Sequence, residues 1–348
     1  MTQFIQLHLL TSYPPSNLNR DDLGRPKSCI IGGASRLRVS SQSLKRAWRM
    51  SEVFESALGA HRGTRTKTLG RELLPRLIGA GVDEKKATTW LGAIVKQFGK
   101  PEAADPLKTG QLFHLSPEER AAVERLVALL AVEQRAPSED ELKLLRRDNK
   151  AVDIALFGRM LADVPVFNIE AAVQVAHAFT VHKVQIEDDY FTAVDDLNKG
   201  EVDAGAGHLG ETGFGAGVFY LYLCIDRDLL QQNLQGDAAL TAKTLYALLE
   251  CAATVAPTGK QNSFASRAHA LYCLAEKGPQ QPRSLSLAFT RPVFDARDGD
   301  VQAQAITELN RLVANMDQVY GPRCEGRKSF NVLTGEGSLR EMQDFITE

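Results

Sequence analysis

The chain opens with an alternation of apolar and polar side chains that predicts a β-strand. Across Phe4–Thr11, the side chains of Ile5, Leu7 and Leu9 fall on one face. A second short alternation at Arg36–Val39 predicts another strand. Both segments precede long stretches with helical periodicity, so the pattern favours a mixed α/β fold.

A helix is predicted directly after the second strand, with Ser40 or Ser41 as its N-cap. At 100° per residue, one arc of this helix is polar and cationic and carries Gln42, Lys45, Arg46 and Arg49. The opposite arc carries Leu44, Ala47, Trp48 and Ser51. No acidic residue stands three or four positions from these cations, so nothing within the helix neutralises them.

Helical periodicity continues through most of residues 58–134, with interruptions at glycines. Two capping boxes, Ser116–Glu119 and Ser138–Glu141, each place a serine three residues before a glutamate. The second box predicts a helix over 142–147. Further helices are predicted at 169–182, 242–255 and 301–316.

Two more strands are predicted at Tyr190–Val194 and Val218–Ile225. The segment between them contains glycines at 200, 205, 207, 210, 213, 215 and 217. A glycine-rich connection between two strands predicts a long hairpin that projects from the body of the protein.

The amino-acid composition is typical of a globular protein and excludes several other classes. Of 348 residues, 44% are hydrophobic and 24% are charged, which argues against a disordered or fibrous protein. The longest apolar stretch is too short for a membrane span, and the N-terminus lacks the basic region of a signal peptide. Five cysteines without a C-x-x-C pair indicate a reducing, cytoplasmic protein with neither a disulfide framework nor a zinc site.

Positive charge is concentrated in one segment. Residues 25–49 contain seven basic residues and no acidic one, although the whole chain has a formal charge of −2. The remainder therefore carries 34 basic against 43 acidic residues. Such a segment in a nearly neutral protein indicates a local binding site for a polyanion.

Three other motifs are weaker indications of function. Gly205–Gly210 matches the dinucleotide-binding G-x-G-x-x-G pattern, but a strand rather than a helix is predicted after it. Gly259–Gln261 resembles the end of a P-loop, yet Thr254 and Gln261 occupy positions that require glycine and serine or threonine. Asp21 and Asp22 are metal-ligand candidates, although such pairs more often cap a turn.

The residues alone therefore favour an α+β protein that binds RNA or another single strand through phosphate contacts. Residues 212–220 support this direction, because they loosely match the base-stacking strand of an RNA-recognition motif, RRM.

Several strings point to one family. They are Asn19–Asp22, Arg38–Ala47, Asp153–Met160, Ala176–Ala178, Phe191–Leu197, His208–Gly210 and Gly217–Tyr220. In these strings the chain resembles CasC, the backbone subunits of type I-E CRISPR Cascade complexes. The resemblance runs from residue 1 to about 320 and is weakest over 59–150.

The resemblance implies an RRM-like, ferredoxin-like palm with a helical fingers insertion and a protruding β-hairpin thumb. The N-terminal part of the palm would comprise 1–58, the fingers 59–182, the thumb and its flanking strands 183–225, and the C-terminal part of the palm 226–348.

The resemblance also implies a non-catalytic protein without cofactors that oligomerises head to tail along a CRISPR RNA. The RNA would then pair with target DNA, and the partners would be further copies of the chain and the Cascade subunits CasA, CasB, CasD and CasE. The alternative is a type III-like backbone subunit in which a residue near Asp21 and Asp22 supports metal-dependent cleavage of target RNA.

Matching the strings residue by residue assigns expected contacts. The guide backbone would meet Asn19, Arg20, Lys27, Arg38, Ser40, Gln42, Lys45, Arg46 and Arg49. Met160, Phe191 and Thr192 would flank a displaced nucleotide, unless Met160 and Phe191 are ordinary core residues. Possible DNA contacts are Lys143, Arg146, Arg147 and Lys150, on a predicted helix face that could equally be solvated.

Overall fold

The computed structural model describes residues 2–193, 208–294, 300–322 and 324–348. The strands in these ranges are β1 Phe4–Ser16, β2 Ser28–Ile31, β3 Ala34–Val39, β4 Thr64–Thr66, β5 Pro101–Glu102, β6 Asp105–Thr109, β7 Phe113–Leu115, β8 Val173–Val175, β9 Ala178–Thr180, β10 Glu187–Ala193, β11 His208–Asp226, β12 Ala270–Gly278 and β13 Gly326–Asn331. The α-helices are α1 Ser41–Arg49, α2 Glu52–Leu58, α3 Leu69–Gly79, α4 Glu84–Val95, α5 Pro117–Glu133, α6 Val152–Phe157, α7 Arg227–Asn233, α8 Ala238–Thr254, α9 Gln261–Phe264, α10 Val301–Tyr320 and α11 Leu339–Thr347.

The first of two units is built from three separate segments, 1–53, 175–224 and 245–348. Its sheet has the strand order β13-β12-β1-β11-β9-β3-β2. The pairings of β1 with β12, β12 with β13, and β3 with both β2 and β9 are antiparallel. The expected mixed α/β architecture is therefore present, with an antiparallel sheet at its centre.

Strand β1 confirms the first predicted strand and extends it to Ser16. Both faces of β1 are buried, because Gln6 and His8 are covered as well as Ile5, Leu7 and Leu9. His8 Nδ1 lies 2.9 Å from the Tyr220 hydroxyl, and burial lowers the pKa of His8 below its usual value. The Gln6 side-chain oxygen also accepts a hydrogen bond from the Tyr222 hydroxyl, so polar side chains of the second face have partners inside the protein, which simple alternation could not indicate.

The predicted helix over 169–182 is wrong, since this segment forms β8 and β9. β9 pairs with β3 through Phe179 and Arg38 and with β11 through Phe179 and Tyr220. The stretch is rich in β-branched residues, including Val173, Thr180 and Val181, which suit a buried strand. Pairing on both sides outweighs the local helical preference of its alanines.

The second unit comprises 54–174 and 225–244, and its core is helical. Leucines 73, 77, 91, 126 and 130 from α3, α4 and α5 belong to one buried cluster. The Ser116–Glu119 capping box is confirmed, with both reciprocal hydrogen bonds present. The predicted helical region also contains the short strand pairs β4–β7 and β5–β6.

The predicted helix over 142–147 is wrong, because this stretch consists of turns and irregular backbone. Ser138 and Glu141 do make the hydrogen bonds of a capping box, with the Glu141 amide donating to the Ser138 hydroxyl. However, Glu141 also accepts from Arg135 at 2.6 Å, and these bonds lower its pKa to about 2. The serine–glutamate pair here closes a turn beside Arg135 and does not begin a helix.

The predicted helices at 242–255 and 301–316 are confirmed as α8 and α10. The two predicted hairpin strands are present as β10 and β11, which pair antiparallel. β11 begins ten residues earlier than predicted, so Gly210, Gly213, Gly215 and Gly217 lie within a paired strand and not in a loop. The rest of the predicted glycine-rich connection, residues 194–207, lies outside the described residues.

Among the helices in the described ranges, none combines the length and apolar character needed to cross a membrane.

Candidate nucleic-acid interface

The N-terminus of α1 brings four predicted site residues together through the main chain. The Asn19 side-chain oxygen accepts a hydrogen bond from the Ser40 amide at 2.9 Å. The Lys27 amide donates to the Asn19 carbonyl, and the Arg38 amide donates to the Lys27 carbonyl, each at 2.8 Å. Asn19, Lys27, Arg38 and Ser40 are therefore neighbours although 21 positions separate the first from the last.

The loop that carries Asn19 and Arg20 is fixed by its own turn. Asp21 Oδ1 accepts from the amides of Leu23 and Arg25, at 3.0 and 2.9 Å. The Asp21 carboxylate thus serves as a turn cap, one of the two possibilities that the sequence left open. Within the described ranges, no cluster of three or more acidic, histidine or cysteine side chains could hold a metal ion.

The same loop is also tied to strands β10 and β11. Asn17 Nδ2 donates to the carbonyls of Gly24 and Gly213, at 3.0 and 2.9 Å. Arg25 forms an ion pair of 2.9 Å with Asp188 on β10. The loop therefore has a defined position relative to β10 and β11, and the Arg25 side chain is held in place before any ligand binds.

Helix α1 presents the predicted arc with one change. Ser40 is the N-cap and accepts from the Ser43 amide, while Leu44, Ala47 and Trp48 are buried. Gln42 and Arg46 are exposed, Lys45 is half-buried, and Arg49 is only 7% exposed. Arg49 therefore belongs largely to the packed side of the helix end and not to the open cationic face.

Two further details change the charge picture. Partial burial of the Lys45 side chain lowers its pKa below the usual value. Arg36, counted in the basic segment, is fully buried and donates to the carbonyls of Thr180 and Phe289, at 2.8 and 3.0 Å. Arg36 is a structural residue, so the basic segment offers fewer binding charges than its seven cations suggest.

His177 is a neighbour of this site that sequence reasoning did not assign. Arg38 Nη1 lies 2.6 Å from His177 Nδ1. Burial and the nearby positive charges of Arg38 and Lys27 lower the pKa of His177, so the neutral ring accepts the hydrogen bond from Arg38. The Ala176–Ala178 string contained this histidine, but only the pairing of β9 with β3 brings it to Arg38.

Phe191 and Thr192 both lie exposed on β10, and Phe191 retains 41% exposure. Phe191 is therefore not a core residue. Its ring lies across Gly210 on β11, because a Cβ at Gly210 would fall 2.2 Å from Phe191 Cζ. Gly210 thus supplies the space in which the ring rests against the strand.

Met160, in the second unit, is 80% exposed and so is not a core residue either. The preceding residue, Arg159, holds this segment in place, because Arg159 and Glu119 form a buried ion pair of 2.7 Å. Arg159 also donates to the Arg146 carbonyl at 2.7 Å and to the Phe167 carbonyl at 3.2 Å. The sequence pattern identified Glu119 as a capping residue, while its pairing with Arg159 depends on tertiary structure.

The four possible DNA-contacting residues do not share a helix face. Lys143 pairs with Asp140 at 2.6 Å, and Lys150 pairs with Asp237 at 2.7 Å. Arg146 and Arg147 are exposed, and neither guanidinium has a partner within the part of the chain that is described. Two cations on an irregular segment therefore remain available here.

The whole chain is similar to one protein family and to solved structures. A family model described as CT1975-like protein matches residues 5–346. One solved chain, titled "CRISPR RNA-guided surveillance complex, pre-nicking", is 31% identical with a TM-score of 0.82 and covers 99% of each chain. Another, titled "CRISPR RNA-guided surveillance complex", is 27% identical with a TM-score of 0.63 and covers 99% of this chain and 98% of that one.

No curated protein matches the chain. The family match nevertheless spans almost the whole sequence, and both solved chains correspond to it over nearly their full length. The protein therefore belongs to the CT1975-like protein family, and over nearly its whole length it is similar to chains of CRISPR RNA-guided surveillance complexes.

Proposed function

We propose that the protein is a non-catalytic CRISPR RNA-binding subunit of a type I-E Cascade, and that its copies assemble head to tail along the guide. The convergence of Asn19, Lys27, Arg38 and Ser40 at the start of α1 is the observation that carries this proposal. These residues create a preorganised, positively charged surface on one face of the first unit.

The chemistry of this surface suits phosphate and not base edges. The first turn of α1 contains no acidic residue, so the positive end of the helix dipole adds to the charges of Lys27 and Arg38. Cations and main-chain amides contact phosphate oxygens without reading sequence. A subunit that holds many different guides needs this property, because base pairing supplies the specificity.

Exposed apolar side chains supply the second kind of contact. The Phe191 ring stands on β10 beside exposed Thr192, and Met160 projects from the second unit. A base that is displaced from the stack exposes its faces, and aromatic or thioether groups can cover them. We assign Phe191, Thr192 and Met160 to the nucleotides on either side of such a displacement.

Gly210→Ala tests the role of Phe191 without touching Phe191. The new methyl group would displace the ring, and the ring can move because it is partly exposed. Since stacking contributes about 1–3 kcal/mol per base, we expect RNA affinity to fall about tenfold while the slope of log affinity against log salt stays unchanged.

The controls for this experiment are Phe191→Ala, which should give the same loss, and Gly79→Ala, which meets no atom within 4 Å and should give none. Combining Gly210→Ala with Phe191→Ala should add nothing further. A fall in the salt slope, or additive losses, would contradict this role of the ring.

Target DNA and neighbouring subunits complete the proposal. Arg146 and Arg147 are the remaining candidates for contact with target DNA, whereas Lys143 and Lys150 are already paired within the chain. A head-to-tail interface that does not close generates a helical filament, which is the geometry required along an RNA. CasA, CasB, CasD and CasE would complete the complex in the cytoplasm.

The proposal is tested by size-exclusion chromatography with light scattering, with and without a CRISPR RNA. We expect the mass to rise in steps of one 38.1 kDa subunit as the RNA is lengthened. Guide and target strands should stay intact after Mg²⁺ is added. Cleavage of a target RNA would favour the type III-like alternative with Asp21 and Asp22. Absence of RNA-dependent assembly, both alone and with CasD and CasE present, would contradict the proposal.

A further inference from the structure

A groove beside the Asn19 loop is lined by a lysine, Lys260, to which the sequence analysis assigned no function. It lies within the first unit, between the loop and the β10–β11 pair, and is lined by Arg20, Arg25, Asp188, Glu211, Gly213 and Lys260. Lys260 belongs to the Gly259–Gln261 stretch, whose P-loop resemblance failed. The function of a lysine at this position follows from its backbone conformation and from the charges of the groove.

The backbone at Lys260 has a conformation that lysine rarely adopts. Its φ is +49°, in the left-handed region where glycine or asparagine is preferred. The preceding residue is packed against the loop, because a Cβ at Gly259 would lie 2.3 Å from the Leu18 carbonyl oxygen and 2.7 Å from that of Asn17. Strain held in place by tight packing often marks a functional position.

Some charged side chains of the groove form ion pairs and others do not. Arg25 is paired with Asp188 at 2.9 Å. The side chains of Arg20 and Lys260 have no hydrogen-bond or ion-pair partner within the described ranges, and Glu211 is the other acidic residue of the lining. Two available cations, Arg20 and Lys260, therefore line the same groove.

This groove is continuous with the proposed RNA surface. Arg20 and Gly24 also border a second cleft, together with Asn19, Asp21, Asp22, Ser43 and Gly259. The Asp21 carboxylate already accepts hydrogen bonds from the amides of Leu23 and Arg25. A strand held by Asn19 and the start of α1 can therefore pass Arg20 and reach Lys260 without leaving the surface of the first unit. Single-strand-binding proteins commonly track a backbone with such a line of cations.

We infer that Lys260 binds a backbone phosphate of the same RNA strand that Arg20 contacts, an assignment that rests on the proposed function. The lysine retains a strained backbone position because its ammonium group extends the phosphate-binding line beyond α1. The contact adds affinity equally for all sequences.

Lys260→Gly tests this inference with two readouts: RNA binding reports the loss of the charge, and the melting temperature reports the relief of backbone strain. Glycine removes the ammonium group and also relieves the positive φ, so we expect the melting temperature to stay or rise while RNA affinity falls. The slope of log affinity against log salt should decrease by about 0.7, the contribution of one phosphate on a single strand. Lys260→Arg should keep the wild-type slope.

Gln235→Gly is the matched control, because Gln235 also has a positive φ, of +58°, but carries no charge. It should raise the melting temperature without changing RNA binding. An unchanged slope in Lys260→Gly would overturn the inference, as would a loss confined to particular RNA sequences. A changed oligomer mass with an unchanged slope would instead assign Lys260 to contact with a second copy.

The outcomes also separate this inference from the proposed function. If the wild-type protein binds no RNA in a salt-dependent manner, the proposed function itself is wrong. If the wild type binds and a Lys45→Gln, Arg46→Gln variant loses slope while Lys260→Gly does not, only the role of Lys260 is wrong.

Discussion

Arg159→Met should destabilise the second unit by about 3–5 kcal/mol, because it leaves the Glu119 carboxylate buried without its partner. The side chains of Arg159 and Glu119 are 1% and 0% exposed, and their closest atoms are 2.7 Å apart. The change also removes the hydrogen bonds from Arg159 to the carbonyls of Arg146 and Phe167. These are the bonds that hold the segment leading to Met160.

Two measurements check this expectation. Urea unfolding gives the change in the free energy of unfolding, and hydrogen–deuterium exchange shows where protection is lost. Peptides covering α5 and residues 158–168 should exchange faster, whereas peptides from β1 and β12 should not. Loss of order around Met160 should then weaken RNA binding without altering the salt slope, since no phosphate contact is removed.

Arg71→Met is the matched control, since it also removes one arginine from an ion pair of the second unit. Arg71 is 57% exposed and pairs with Asp105 at 2.6 Å, and exposed pairs of this kind contribute about 0–1 kcal/mol. Equal losses in the two variants would mean that burial of the Arg159–Glu119 pair has no special importance.

Replacing Lys45 and Arg46 together by glutamine should produce the largest loss of RNA binding. Arg46 is exposed and Lys45 half-buried on the side of α1 opposite its packed face. Each phosphate contact on a single strand contributes about 0.7 to the salt slope, so the double variant should lose about 1.4. The loss of affinity should be the same for unrelated guide sequences, because phosphates carry no sequence information.

Lys85→Gln with Lys86→Gln provides an equal change of net charge at exposed positions on α4. This control should leave the salt slope unchanged. Arg49 is omitted from the test variant because its buried side chain would confound binding with stability. If both double variants weaken RNA binding alike, general electrostatic attraction and not the α1 surface explains binding.

Local sequence patterns predicted the elements that are stabilised by contacts between residues close in sequence. The cap at Ser40, the capping box at Ser116 and the apolar stripes of α8 and α10 are all present. Segment 169–182 has helical periodicity but forms strands, because neighbours that are distant in the chain stabilise them. Similarly, the serine and glutamate at 138 and 141 formed the expected bonds but no helix followed.

The family resemblance assigned Asn19, Lys27, Arg38 and Ser40 to one set of RNA contacts, and main-chain and side-chain hydrogen bonds make them neighbours in the structure. Their contact with RNA stays a prediction. The sequence could not show that Arg36 and Arg49 are buried, because burial depends on packing partners far away in sequence. His177, Gly210 and the Arg159–Glu119 pair were missed for the same reason, since each acts through a contact across strands or helices.

The pairing of β1 with β12 has a consequence for synthesis on the ribosome. Phe4 pairs with Gly278, so the first strand cannot form its hydrogen bonds to β12 until most of the chain has been translated. At roughly 5–20 residues per second, β1 waits about 14–55 s for β12. Its other neighbour, β11, is also translated late, so we expect a chaperone to bind the apolar side chains of Ile5, Leu7 and Leu9 before these strands emerge. The second unit, whose segments end at residue 244, can fold while β1 is still waiting.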